Sequence, residues 1–340
     1  MRNIIFAIIT SGVVVVRAWN AGSTLHLQPR TTSSSIWTTT AIARPSTCTS
    51  RKATESSSSS GGGEGLYRKF AEYGWQRLSE EKKLNLLEPI NFVPSELAHQ
   101  SVPARGVPDA TVNIEVKALA PSDDNVESPI RLARYALLET ISAAEGDSHN
   151  FNGKSGIQVL NFVIFPNETM DLPVFGADLV TLPGDKHLVA IDFQPLRVSE
   201  DGDGLLNLSK DVEAKLKTLH EKYSSVLEWG GDIPDPARRY FSQNAIWSRQ
   251  SGAEGLVLVE TAVLDVFKDY LEVYMDELAA AMDKHSNDAL DGQMQNALVE
   301  GNSSYLAYRK ANDPARPMLK SLYGEEFTER LISEVLFTDK

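Results

Sequence analysis

Two apolar runs joined by a short polar turn mark the middle of this 340-residue chain. Asp171–Leu196 reads DLPVFGADLVTLPGDKHLVAIDFQPL. Val174, Gly176, Asp178 and Val180 fall on one face, and Phe175, Ala177, Leu179 and Thr181 on the other. Pro183–Lys186 reverses the chain and His187–Phe193 returns, so this stretch predicts a hairpin of two core strands. Gly156–Pro166 (GIQVLNFVIFP) predicts a buried strand before it, and Thr111–Ala120 another through Val112, Ile114 and Val116. A helical period predicts an amphipathic helix over Glu64–Lys83, burying Leu66, Phe70, Tyr73, Trp75 and Leu78. It predicts a second over Pro129–Glu145, with Arg131 and Arg134 on one side and Ile130, Ala133, Leu137 and Leu138 on the other. Further helices are predicted over Leu205–Glu221, Glu260–Lys284, Ala289–Lys310 and Gly324–Phe337. Pro89–Pro108 reads as extended, Asn244–Arg249 as a short strand, and Asp235 as the cap of a short helix beginning at Pro236. Strands joined by short turns in the middle and helices gathered at both ends predict an α/β fold. Its sheet is largely antiparallel and covered by helices on both faces.

The first 60 residues follow a different pattern. Met1–Ala18 has a basic start and an apolar run from Ile4 to Val16, the composition of a signal peptide and too short for a spanning helix of ~20 residues. Residues 19–60 hold 20 Ser and Thr and one acid, Glu55, which is transit-peptide composition. The domain proper is therefore expected at 61–340, long enough for one substantial core. The leader takes 6 basic and 1 acidic residue out of the chain's 33 and 46, leaving 27 basic and 45 acidic, a net charge of −18. That argues against a nucleic-acid partner. The one cysteine, Cys48, falls in the leader, so the domain lacks a thiol nucleophile, a cysteine-held cluster and a cysteine tether for a chromophore. Strand–helix alternation with G-x-G-x-x-G, a P-loop, a nucleophile elbow and H-E-x-x-H are all missing, and the histidines are scattered.

Candidate chemistry rests on polar residues in apolar company. A carboxylate placed mid-strand costs roughly 2–7 kcal/mol to bury unless paired, protonated or useful, and the hairpin carries two, Asp178 and Asp192. Asp192 reads as structural, and Asp178 equally as a hydrogen-bonded strand-end carboxylate or a functional acid. Asn161 shares a strand face with Ile157, Val159, Val163 and Phe165, where an amide either bonds neighbouring backbone or points into a pocket. Asp313 precedes Pro314 and is well explained as a helix cap. Trp229–Asp232 reads as a core tryptophan with a tight turn. Arg238, Arg239, Arg249 and Arg316 are able to hold carboxylates bidentately, although surface arginines usually only solvate.

The run D-L-P-x-F-G-A-D-L-V-T-L-P-G followed by V-A-I-D-F-Q-P-L resembles the central hairpin of the ferredoxin-dependent bilin reductases. Val159–Pro166, Glu228–Ser242, Ile246–Arg249, Val266–Leu271, Tyr305–Leu319 and Leu336–Asp339 extend the resemblance in order, most similar to the subgroup forming 15,16-dihydrobiliverdin. The resemblance implies a three-layer α/β/α sandwich with an open-chain tetrapyrrole between the sheet and the C-terminal helices. It implies two-electron reduction of biliverdin IXα at the 15,16 double bond by single electrons from reduced [2Fe-2S] ferredoxin, without a metal or cofactor of the enzyme's own. The product would pass to a second reductase that makes phycoerythrobilin. Phytochromobilin-synthase-like or phycoerythrobilin-forming chemistry and a non-catalytic bilin carrier are the alternatives. The family's central aspartate falls on Asp178, its sheet Asn or His on Asn161 and its C-terminal aspartate on Asp313, with Arg249 and Arg316 as candidates for the propionates. A histidine of phycocyanobilin-forming relatives is replaced by Asn161, and their helical glutamate by Ala136. The leader resembles the bipartite address of complex plastids, implying a stromal enzyme without stable membrane insertion.

Overall fold

The computed structural model describes residues 65–81, 93–107, 109–121, 128–142, 156–168, 170–199, 204–233, 236–285 and 292–339. In the leader it describes only an antiparallel pair, Ile8–Thr10 with Val13–Val15. The remaining signal and transit segments, Cys48 and Asp235 lie outside the described residues.

Seven strands form one antiparallel sheet: β1 (His99–Pro103), β2 (Ala110–Leu119), β3 (Ile130–Ser142), β4 (Gln158–Pro166), β5 (Val174–Leu182), β6 (Lys186–Gln194) and β7 (Ile246–Ser251). The first six follow chain order as a meander and β7 pairs outside β6. Helices α1 (Arg68–Glu80), α3 (Lys210–Ser224) and α5 (Leu264–His285) cover one face. Between α1 and α3 in sequence lies α2, a single turn at Ser95–Ala98 leading into β1. A short helix α4 (Gly252–Leu258) runs through a π turn at Val259–Val263 directly into α5. The other face is covered by α6 (Gly292–Asn312), α7 (Arg316–Tyr323) and α8 (Glu325–Arg330), the last continuing as a π turn over Leu331–Leu336. This is the α/β/α sandwich that the alternation predicts. Among the described residues, no helix is long and apolar enough to cross a membrane.

The two faces bury different material. Phe162, Phe175 and Phe193 from the sheet meet Phe267, Tyr270 and Tyr274 of α5 in edge-on and tilted pairs, with centroids 5.2 to 6.3 Å apart. Such geometry sets the positive ring edge against a neighbour's π face. The opposite face carries mostly smaller aliphatic residues from the sheet together with the hairpin carboxylates Asp178 and Asp192.

One predicted element is corrected. Within Pro129–Glu145 the described residues form not a helix but the interior strand β3, Ile130–Ser142, and both of its faces are covered. A strand buried on two faces is apolar almost continuously, so its run cannot be told from a buried helix by periodicity. Pro89–Pro108 contains the helical turn α2 besides extended chain. The helix expected from Leu205 begins at Lys210, because Leu205 pairs with Arg197 in a small ribbon. Trp229 is corrected too: it is 55% exposed, and the core tryptophan is Trp247, whose indole N–H donates to the Gly231 carbonyl at 2.9 Å.

Candidate active site

Register decides which side chains meet. Val116, Ala136, Asn161, Asp178, Ala190 and Trp247 stand in one row across β2–β7. Directly opposed residues lie about 4.5–5.5 Å apart at Cβ, and here the Asn161 amide donates through Nδ2 to Asp178 Oδ1. Arg134, two residues before Ala136 and on the same face, donates from Nη1 to Asn161 Oδ1 and from Nε to the Leu336 carbonyl at 2.8 Å. It is fully buried, with its guanidinium 5.8 Å from the Phe165 ring and 5.3 Å from that of Phe337.

Helix α6 closes the cluster from above. Tyr305 and Arg309 follow at helical spacing and Asp313 comes just past its end, so all three return to the same side. Arg309 Nη2 lies 3.4 Å from Asp178 Oδ2, at the outer limit of a charge-assisted hydrogen bond. Tyr305 donates to Gln194 Oε1. Asp313 is buried and accepts the Ala315 N–H at 2.7 Å through Oδ1, but the helix read as starting at Pro314 begins at Arg316 with Ala315 as its N-cap, so Asp313 closes a turn before α7 rather than capping it.

Four of these groups border a narrow cavity of about 50 Å³ whose other walls are largely aliphatic, among them Ala136, Val159, Val180, Met318 and Leu336. That volume is far below the ~300–1,000 Å³ usual for small-molecule sites. Asn161, Asp178 and Asp313 all line it, together with Arg309. Arg249 and Arg316 do not. Arg249 is exposed on β7 with its guanidinium 5.5 Å from the Trp247 ring, and Arg316 is held by Glu329 and the Lys310 carbonyl. A larger hollow, bordered by Trp229, Asp232 and Arg238, is open to solvent and lies away from this cluster.

The electrostatics are those of a dry site holding two fixed cations. Burial pushes the Asp313 carboxyl above its ordinary value, with Arg309 opposing. Burial and the neighbouring Arg309 charge bring Arg134 down to about 10, still cationic at neutral pH. Burial works against the Arg309 charge as well, but Tyr305, Asp178 and Asp313 outweigh it and hold that guanidinium above its usual value. Burial also raises Tyr305 to about 12. A carboxyl with a raised pKa in an apolar slot is suited to donating a proton near neutral pH. Asp192, on the same face one row along, is different in kind. Both its oxygens are taken by Ser242, at 2.8 Å from the backbone N–H and 2.5 Å from the hydroxyl, as suits a structural role.

Residues 148–338 match the family described as ferredoxin-dependent bilin reductase. The chain belongs to the ferredoxin-dependent bilin reductases. It is thus an oxidoreductase acting on CH–CH bonds with ferredoxin as electron donor. A phycoerythrobilin:ferredoxin oxidoreductase of Parasynechococcus marenigrum (strain WH8102) is 36% identical over 267 residues, 77% of this chain and 90% of that protein. One of Nostoc punctiforme is 43% identical over 185 residues, 54% of this chain and 67% of its own. Phytochromobilin synthase from tomato, crystallised with biliverdin, shares the fold with a TM-score of 0.58 at 24% identity, over 80% of this chain and 82% of that one.

Sequence reasoning missed Arg309 and misplaced Arg134. The signal for Arg309 was its spacing of four from Asp313, which puts both on one side of a helix end. Arg134 had no such signal, because the strand holding it read as a helix.

Proposed function

We propose that this bilin reductase forms phycoerythrobilin, delivering two electrons from ferredoxin one at a time to a bilin held between the sheet and α6–α8. The observation that carries a reductive role is the convergence of Asp178, Asn161 and Asp313 on one apolar cavity. Each electron added to a conjugated tetrapyrrole creates a basic radical, so each must be matched by a proton from a positioned acid. Asp178 is assigned to protonating the bilin near its pyrrole nitrogens and lactam oxygens, and Asp313 to delivering a second proton at the reduced carbon. Asn161 orients Asp178, and Arg309 steadies negative charge on the carboxylates or on the reduced bilin. The shared name of the cyanobacterial relatives supports phycoerythrobilin as product. The biliverdin held by the tomato protein supports a bilin of that type as ligand of this fold.

A second reading keeps the 15,16 reduction of biliverdin, with the product handed to another reductase. It is favoured by the runs at Glu228–Ser242 and Ile246–Arg249, which resemble that subgroup. An anaerobic assay with reduced ferredoxin separates the two, biliverdin and 15,16-dihydrobiliverdin being supplied in turn and the products resolved by chromatography. Consumption of the dihydro compound to phycoerythrobilin supports the first reading, and accumulation of that compound from biliverdin supports the second. Binding without ferredoxin-dependent change leaves only a carrier. The leader reading, residues 1–18 and 19–60 as a two-part address to a complex plastid, belongs to the same proposal and is tested by import of a fluorescent fusion.

A further inference from the structure

The geometry points to Arg134 as a positioning residue that decides which oxygen of Asp178 carries the transferable proton, an inference resting on the bilin reductase reading above. Hydrogen-bond polarity fixes the orientation of the Asn161 amide. A guanidinium only donates, so the Asn161 atom facing Arg134 must be its carbonyl Oδ1, and the amide Nδ2 is thereby turned to Asp178. Nδ2 only donates as well. Asp178 Oδ1 must then accept, and a proton on that oxygen would leave two hydrogens in opposition. The proton is confined to Oδ2, the oxygen approached by Arg309 only at 3.4 Å.

Arg134 can impose this polarity because it has little freedom of its own. Its Nε is tied to the Leu336 carbonyl at 2.8 Å, and its guanidinium lies over the rings of Phe165 and Phe337. A neutral side chain at residue 134 able both to donate and to accept would let the Asn161 amide turn over, presenting an acceptor to Asp178 and moving the proton to Oδ1. The charged groups that bear on Asp178 come from three places: Arg134 on β3, Arg309 on α6 and Asp313 beyond α6, with the Tyr305 phenol also on α6. Of these only Arg134 touches Asn161 among the described residues.

In the reductive step the Asp178 Oδ2–H bond breaks as an N–H or C–H bond forms on the bilin that has taken one electron from ferredoxin. The carboxylate left behind regains its proton from water before the second electron. Misplacing the proton slows this transfer while leaving bilin affinity intact.

The test is a double-mutant cycle on the full chain, measuring kcat and KM for ferredoxin-driven bilin reduction across pH. Arg134→Gln and Asn161→Ala are each expected to lower kcat at least tenfold, with KM within about twofold, and to displace the pH profile. The double variant is expected to be no slower than Asn161→Ala alone, because Arg134 acts through Asn161. Multiplying losses in the double variant, or wild-type kcat and pH profile in Arg134→Gln, overturn the inference. Should Arg134→Gln not fold, Arg134→Lys, which keeps a donor-only cation, supplies the same cycle and is expected to retain more activity than any neutral replacement that folds. Lack of ferredoxin-dependent reduction in the wild type overturns the activity reading instead. The cycle is then read from the pH midpoint of the absorption change of bound biliverdin, which must move with both single variants and no further with the double.

Discussion

Asp178 and Asp192 sit on adjacent rows of one sheet face, yet their surroundings give them different work. Asp178 faces a cavity with an amide on one oxygen and a distant guanidinium near the other, whereas Asp192 has both oxygens saturated by Ser242. Asp178→Asn is therefore expected to bind biliverdin with near-normal affinity but to lose ~10²–10⁴-fold in turnover, the usual worth of a positioned general acid. Absorbance titration and anaerobic turnover check the two halves, and electron spin resonance should find a stalled radical. Burial pushes Asp192 up to about 7, with the hydrogen bonds from Ser242 pulling the other way. In unfolded chain it titrates near 3.9. Between those values the native state holds a proton that the unfolded state has released, so the stability linked to this group is full at low pH and is lost as pH rises through 7. The slope is at most about 1.4 kcal/mol per pH unit. Asp192→Asn keeps an acceptor and a donor for Ser242 and should abolish that part of the slope, read from urea unfolding between pH 5 and 8. At this scale the sequence marked Asn161, Asp178 and Asp313 by their resemblance to the family, while polarity alone left each open to a structural account. It could not mark Arg134, since a buried arginine and a solvated one look alike until the partner carbonyl of Leu336 is placed.

Among elements, α6 matters most to the site because Tyr305, Arg309 and Asp313 all ride on it or its end. It approaches the segment after β6 so closely at Gly301 that a Cβ there would stand 2.2 Å from the Leu196 carbonyl oxygen. Backbone cannot swing aside as a flexible side chain can, so Gly301→Ala should lift this part of α6. The expected cost is ~1–3 kcal/mol, as for overpacking in a core. Urea unfolding measures that cost, and weaker bilin binding in the same variant would register the displaced Arg309. The hairpin of β5 and β6 was legible because two short apolar runs flank the turn Pro-Gly-Asp-Lys. Strand β3 was not, because its 13 residues, buried on both faces, have the length of a helix. The exposed β1 and the start of α3 were blurred for the opposite reason, having too few buried positions to impose a period.

For the molecule as a whole, both hydrophobic clusters among the described residues are built from Leu66 onward. A protein beginning at Gly61 should therefore unfold cooperatively with the midpoint of the full-length chain and bind biliverdin equally well, as calorimetry and absorbance titration will record. A midpoint lower by more than a few degrees would mean that the leader contributes to the core. Composition, alternation and ordered motifs by themselves determined an acidic α/β protein with an antiparallel hairpin at its centre, its place among the bilin reductases, and three of the polar residues lining its cavity. These are local or additive properties, carried by period, charge count and short runs of residues. Tertiary structure alone decided that β3 is a strand, that Arg134 grips Asn161, and that Arg309 rather than Arg249 or Arg316 reaches the aspartates. Each of those depends on contacts between residues separated in the chain, up to 202 positions for Arg134 and Leu336, where register and helix docking, not sequence spacing, set the distance.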